Sequence, residues 1–151
     1  MCRCKASGPL PWSLSNLCKG FVIDIEGEMF TIHQQSAHDI RRHYVCKDVA
    51  RMQVSANRTG HGAAVLVLTN EPAYRLRRSR AETADAAFDI AKPRELAGML
   101  QWSALAGQGT IRGRETPLQL TGRYPLAWRD YSVLGGTAAT FRYLWIPVPA
   151  P

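Results

Sequence analysis

Three acidic residues stand close together early in the chain: Asp24, Glu26 and Glu28. Side chains on a strand alternate with period two, so Asp24 and Glu26 would share one face. Two carboxylates on one face could hold a single Mg²⁺, which activates water and stabilises charge on a phosphoryl group. The other reading is a solvated acidic face on a hairpin. A second cluster is cationic, with Arg75, Arg77, Arg78 and Arg80 within six positions. Guanidinium groups suit phosphate, and such binding would be sequence-independent and salt-sensitive. Tyr74 is the lone aromatic beside them, so a stacking platform for single strands is poorly supported. The other reading there is a solvated basic loop.

Other reactive types carry less. Cys2, Cys4, Cys18 and Cys46 match no common zinc spacing and read as reduced cytosolic thiols. His33, His38, His43 and His61 lack a metal-binding spacing. Ser132 has no nucleophile-elbow context, and no glycine-rich phosphate loop is present.

The elements that must carry these residues follow from periodicity. Phe21-Val22-Ile23-Asp24-Ile25 and Met29-Phe30-Thr31-Ile32 flank a turn and predict a hairpin. Residues 35–55 have helical character, with Ala37, Ile40 and Tyr44 on one face and Val45, Val49 and Met52 nearby. Asn57-Arg58-Thr59-Gly60 stops that helix. Ala63 to Leu68 is continuously apolar, as in a strand buried on both faces. Strand, helix and buried strand then read as a crossover unit. Residues 70–95 are polar and Arg-rich, with a short strand expected at Phe88-Asp89-Ile90. Further strands are expected at Leu96–Trp102, Leu118–Tyr124 and Phe141–Val148, the last at an edge because of Pro147. Trp102, Trp128 and Trp145 are expected to fill or cover the core. Residues 1–19 lack periodicity and read as irregular.

At 151 residues the chain is the size of one domain. Its 46% hydrophobic and 21% charged residues exclude wholesale disorder. No apolar run is long enough for a transmembrane helix, and no secretory signal is evident. These readings place the protein in the cytoplasm, with no membrane partner. The net charge of +7 is compatible with nucleic acid, an acidic protein or simply a basic soluble domain.

The order of segments from Phe21 to Val148 resembles a bacterial family of restriction-endonuclease-like proteins of the PD-(D/E)XK nuclease superfamily. The carriers are Gly27-Glu28-Met29-Phe30, Gln35-Ser36-Ala37-His38-Asp39-Ile40, Tyr44-Val45-Cys46-Lys47-Asp48-Val49 and Leu68-Thr69-Asn70-Glu71-Pro72-Ala73-Tyr74. Gly109-Thr110, Arg114-Glu115, Pro117-Leu118, Trp128-Arg129-Asp130-Tyr131-Ser132 and Phe141-Arg142-Tyr143-Leu144 complete them. The resemblance implies an α/β fold, an incomplete restriction-endonuclease-like core of a mixed sheet and one long helix with C-terminal antiparallel strands. It implies Mg²⁺-dependent DNA phosphodiester cleavage as the ancestral activity, DNA as partner, and room for a homodimer. Gln35 best matches the family's helix glutamine and is a vestigial catalytic candidate.

The sequence departs where the chemistry sits. The family's Glu-x-Lys strand precedes the hairpin, and here Leu14-Ser15-Asn16-Leu17-Cys18-Lys19 occupies that position. No acidic residue precedes Asp24. Residues 1–19 therefore read as an unrelated or frame-shifted start, and residues 20–151 as the restriction-endonuclease-like domain. The expectation is a truncated or degenerate nuclease-like protein without cleavage activity. The alternative is a non-catalytic nucleic-acid-binding module using Arg75–Arg80.

Overall fold

The computed structural model describes residues 11–34, 36–76, 82–91, 94–134 and 140–151. The fold is mixed α/β, with one long helix against a four-stranded mixed sheet. The strands are β1 (Trp12–Asn16), β2 (Phe21–Ile25), β3 (Glu28–Ile32), β4 (Ala63–Thr69), β5 (Arg94–Leu100), β6 (Leu118–Leu126), β7 (Trp128–Val133) and β8 (Thr140–Val148). The helices are α1 (His38–Thr59) and a single turn, α2 (Gln108–Ile111). The sheet order is β1-β4-β8-β7.

β4 is an inner strand, as its continuous apolar run predicts. It pairs with β1 in parallel and with β8 antiparallel. Ala63, Val65 and Val67 face α1 and are buried. Leu17, Val45, Val49, Met52, Leu144 and Ile146 join them in the core. The crossover exists, but its first strand differs from the expectation. β4 pairs with β1, and the β2–β3 hairpin is a separate ribbon inserted between β1 and α1. Residues 12–16 are therefore not irregular. Pro11 and Ser13 disguise a short strand whose pattern only pairing with β4 reveals.

The hairpin turn is Glu26-Gly27, both with positive φ (55° and 85°). That is the primed two-residue geometry that matches strand twist. Phe21 packs on Phe141, with ring centroids 5.6 Å apart, while Val22, Met29 and Phe30 are exposed.

α1 begins at Ala37, itself left-handed with φ 61°, and ends at left-handed Gly60, whose N–H donates to the Ala56 carbonyl at 2.9 Å. The helix runs through Asn57-Arg58-Thr59, beyond the expected stop, because the glycine supplies the cap. On its other side α1 meets β6. Gln53 Oε1 accepts from the Thr121 N–H (2.8 Å), the Gly122 N–H (3.2 Å) and the Tyr124 hydroxyl (2.9 Å).

Three further expectations change. Phe88-Asp89-Ile90 is not a strand; Ala86–Phe88 is a 3₁₀ turn, and the Asp89 carboxylate accepts from the Ala91 N–H. β8 is an inner strand, not an edge. Pro147 lies beyond Leu144, the last β8 residue paired with β7, so only β4 flanks it. Trp128 is buried and donates to the Ile90 carbonyl, and Trp102 packs against the core, but Trp145 is 49% exposed on the sheet's outer face.

Candidate functional site

The carboxyl ends of β1 and β4 lie together, where parallel strands joined by a crossover usually present ligand groups. Here the polar side chains are taken up by neighbouring backbone and by one another. The Lys19 N–H donates to Asn70 Oδ1 at 2.7 Å, and Asn70 Nδ2 returns a bond to the Lys19 carbonyl at 3.1 Å. The Thr69 hydroxyl donates to the Leu17 carbonyl. The Cys18 thiol donates to Asn16 Oδ1 at 2.6 Å, and burial pushes it above its ordinary pKa. A raised thiol is a poor nucleophile at neutral pH.

Beside this junction the first turns of α1 hold a buried charge. Arg42 donates to Asp85 Oδ2 at 2.8 Å and to the Ala73 carbonyl at 2.7 Å. Both members of the ion pair are buried. The Arg42 guanidinium also lies 5.3 Å from the Tyr74 ring centre, and His38 meets that ring edge-on. Burial pushes the Tyr74 phenol up to about 12, against the pull of Arg42. Its hydroxyl has no hydrogen-bond partner among the described residues.

The next residue, His43, stacks on Trp102 at 5.4 Å and meets Phe88 and Tyr44 edge-on. Burial, then Lys47 and Arg114, push its imidazole down to about 4. His43 Nδ1 has no hydrogen-bond partner among the described residues. The ring is packed as a neutral aromatic.

Asp48, on the next turn, is also buried. Its carboxylate accepts from Ser13 Oγ (3.0 Å), Ser15 Oγ (3.3 Å) and Arg51 Nη1 (2.9 Å). The hydroxyls that β1 turns toward the helix thus end on a helix carboxylate. Arg51 pairs with Asp48 as its spacing suggests, but Arg42 reaches Asp85, and Asp39 accepts from Thr110.

The residues singled out for chemistry do not assemble. Asp24 Oδ1 accepts from the Gly27 N–H at 2.8 Å and so serves the hairpin turn. Glu26 lies in that turn, outside β2, so period-two alternation does not carry it onto the face of Asp24. The pair does not fit the two-carboxylate arrangement that Mg²⁺ implies. Among the described residues no group of three or more His, Cys, Asp or Glu could hold a metal ion. Gln35, Arg77, Arg78 and Arg80 lie outside the described residues. Arg75 is half-buried and closes the 3₁₀ turn Pro72–Tyr74, its N–H donating to the Pro72 carbonyl.

Sequence reasoning missed the buried Arg42–Asp85 pair, the His43 cage and the triple acceptance at Gln53. The sequence puts Arg42 on the polar side of the helix, at a position matching the family's, and shows His43 only as an ordinary histidine. Among the described residues no helix is long and apolar enough to cross a membrane. No family model, curated protein or solved structure matches the chain.

Proposed function

We propose that this chain is a non-cleaving relative of Mg²⁺-dependent DNA phosphodiesterases, with an incomplete restriction-endonuclease-like core, that has kept nucleic-acid binding. One observation carries the reading. β1 stands in the sequence position of the expected Glu-x-Lys strand, and it sends Ser13 and Ser15, not carboxylates, toward α1. Asp48, the carboxylate they meet, is already engaged by those hydroxyls and Arg51. Metal-assisted attack on phosphate needs oxygen ligands free to share a cation. Binding needs only cations, and the chain has 19 Lys and Arg against 12 Asp and Glu.

The test uses the purified full chain. Supercoiled plasmid with Mg²⁺ or Mn²⁺ should remain intact, while a fluorescent 20-base-pair duplex should bind with strong salt dependence. Replacing Arg75, Arg77, Arg78 and Arg80 by Ser should reduce the log–log salt slope by ~0.9 for each phosphate no longer neutralised. Metal-dependent nicking that disappears in Asp24→Ala would overturn the non-cleaving half. Absence of salt-dependent binding would overturn the other.

A further inference from the structure

The exposed face of α1 carries cations and no carboxylate. Lys47, Arg51, Val54 and Arg58 recur at helical spacing and are all exposed. The helix has only two acidic residues. Asp48 is buried, and Asp39 is half-buried and bonded to Thr110. Lys47 and Arg58 make no ion pair among the described residues, while Arg51 is steadied by Asp48 and remains 44% exposed. Together with Ser55 and Leu118 of β6 these residues line a shallow cleft of about 430 Å³. Asn57 and Thr59 add exposed polar groups at the same end.

We infer that this ridge of α1 binds the phosphate backbone of double-stranded nucleic acid, through Lys47, Arg51 and Arg58. The inference rests on the nucleic-acid reading above and adds residues of α1 to it. From Lys47 to Arg58 the helix rises ~16 Å, about the axial length of five phosphates on one strand. A 22-residue helix clamped on both sides holds that spacing rigidly. The exposed Asn57 amide beside the cations suits phosphate oxygens, whereas the Thr59 hydroxyl is already given to the Ser55 carbonyl at 3.0 Å. A single strand would want aromatic platforms, and none lines the cleft. A bilayer would want several large exposed apolar residues on this face, and beside its cations the cleft holds Ala50, Val54 and Leu118, of which only Val54 is exposed.

The experiment measures affinity of the full chain for a fluorescent 20-base-pair duplex against salt concentration. The variants are Lys47→Ala/Arg58→Ala, a Gln/Gln version of the same pair, and the four-Arg→Ser variant. Alanine and glutamine are good helix formers, and circular dichroism checks the fold. The double variants should lose ~1.8 from the salt slope and about 60-fold in affinity at 0.1 M salt. If the wild type binds but the double variants keep its slope, the ridge is wrong and the binding reading stands. If the wild type does not bind, both are wrong. If polyglutamate at equal charge displaces the duplex as well as unlabelled duplex does, the ridge serves an acidic protein and the inference is overturned.

Discussion

Removing the Asp48 carboxylate should loosen β1 from the rest of the protein. In Asp48→Ala the Ser15 hydroxyl, 6% exposed, is left without its acceptor. A buried donor stranded in this way costs about 1–3 kcal/mol. Ser13 is half-buried and can turn to water, so its loss is smaller, about 0.5–1 kcal/mol. Arg51 is half-exposed, and its ion pair contributes roughly 0–0.5 kcal/mol. The sum is about 3 kcal/mol, or a melting-temperature drop of roughly 6–12 °C for a chain of this length. Asp48→Asn keeps one acceptor and should lose about 1 kcal/mol. Urea denaturation of Asp48→Ala, Ser15→Ala and the double variant gives the coupling directly, and about 1–2 kcal/mol is expected. Hydrogen exchange should show β1 amides losing protection before those of β4. A loss below about 0.5 kcal/mol in Asp48→Ala, or no coupling to Ser15, would refute the view that β1 is held by this network.

His43 sets a pH dependence. Its folded pKa of about 4 lies below the ordinary 6.5, so the unfolded chain binds the extra proton between those values. Its stabilising contribution is complete above pH 6.5 and fades as pH falls toward 4. Urea midpoints at about pH 7 and about pH 4.5 should differ less in His43→Phe, which keeps the stacking on Trp102. Tyr74→Phe removes a buried hydroxyl with no partner among the described residues, and should raise stability by up to about 1 kcal/mol or leave it unchanged; thermal unfolding decides. Gly122→Ala places a Cβ 2.6 Å from the Tyr124 hydroxyl oxygen, disturbing its bond to Gln53, and should cost about 1–3 kcal/mol in urea denaturation. Gly107→Ala meets open space and is the neutral control.

The parts of this fold legible in the sequence are those whose signal is local. The Ala63–Leu68 run, the hairpin around Glu26-Gly27 and the long helix each announce themselves by pattern. β1 was hidden because five residues beginning Trp-Ser-Leu-Ser have no signature until β4, some fifty positions later, offers its edge. Pro147 misled because an imino acid argues for an edge strand in general, whereas only the β7-facing side of β8 is open at that point. Phe88-Asp89-Ile90 has strand propensity, but Asp85 and Asp89 are drawn into a turn beside Arg42. The candidate site was less legible than the fold. Asp24 and Glu26 sit two apart, which means a shared face only on a continuous strand, and the turn begins between them. Asp48 reaches Ser15 across 33 positions and Asp85 reaches Arg42 across 43, a range no spacing rule covers; of their described partners only Arg51, three positions from Asp48, is local.

The antiparallel edge of β4 has a consequence during synthesis. At translation rates of ~5–20 residues per second, the roughly 79 positions between Thr69 and Val148 take about 4–16 s. For that interval β4 can pair with β1 on one side, while the backbone of Val65-Leu66-Val67-Leu68 is open on the other. An open apolar strand edge is a template for any neighbouring chain. The nascent protein is therefore most exposed to misassembly on polysomes, and slowing elongation downstream of residue 69 should lower its soluble yield.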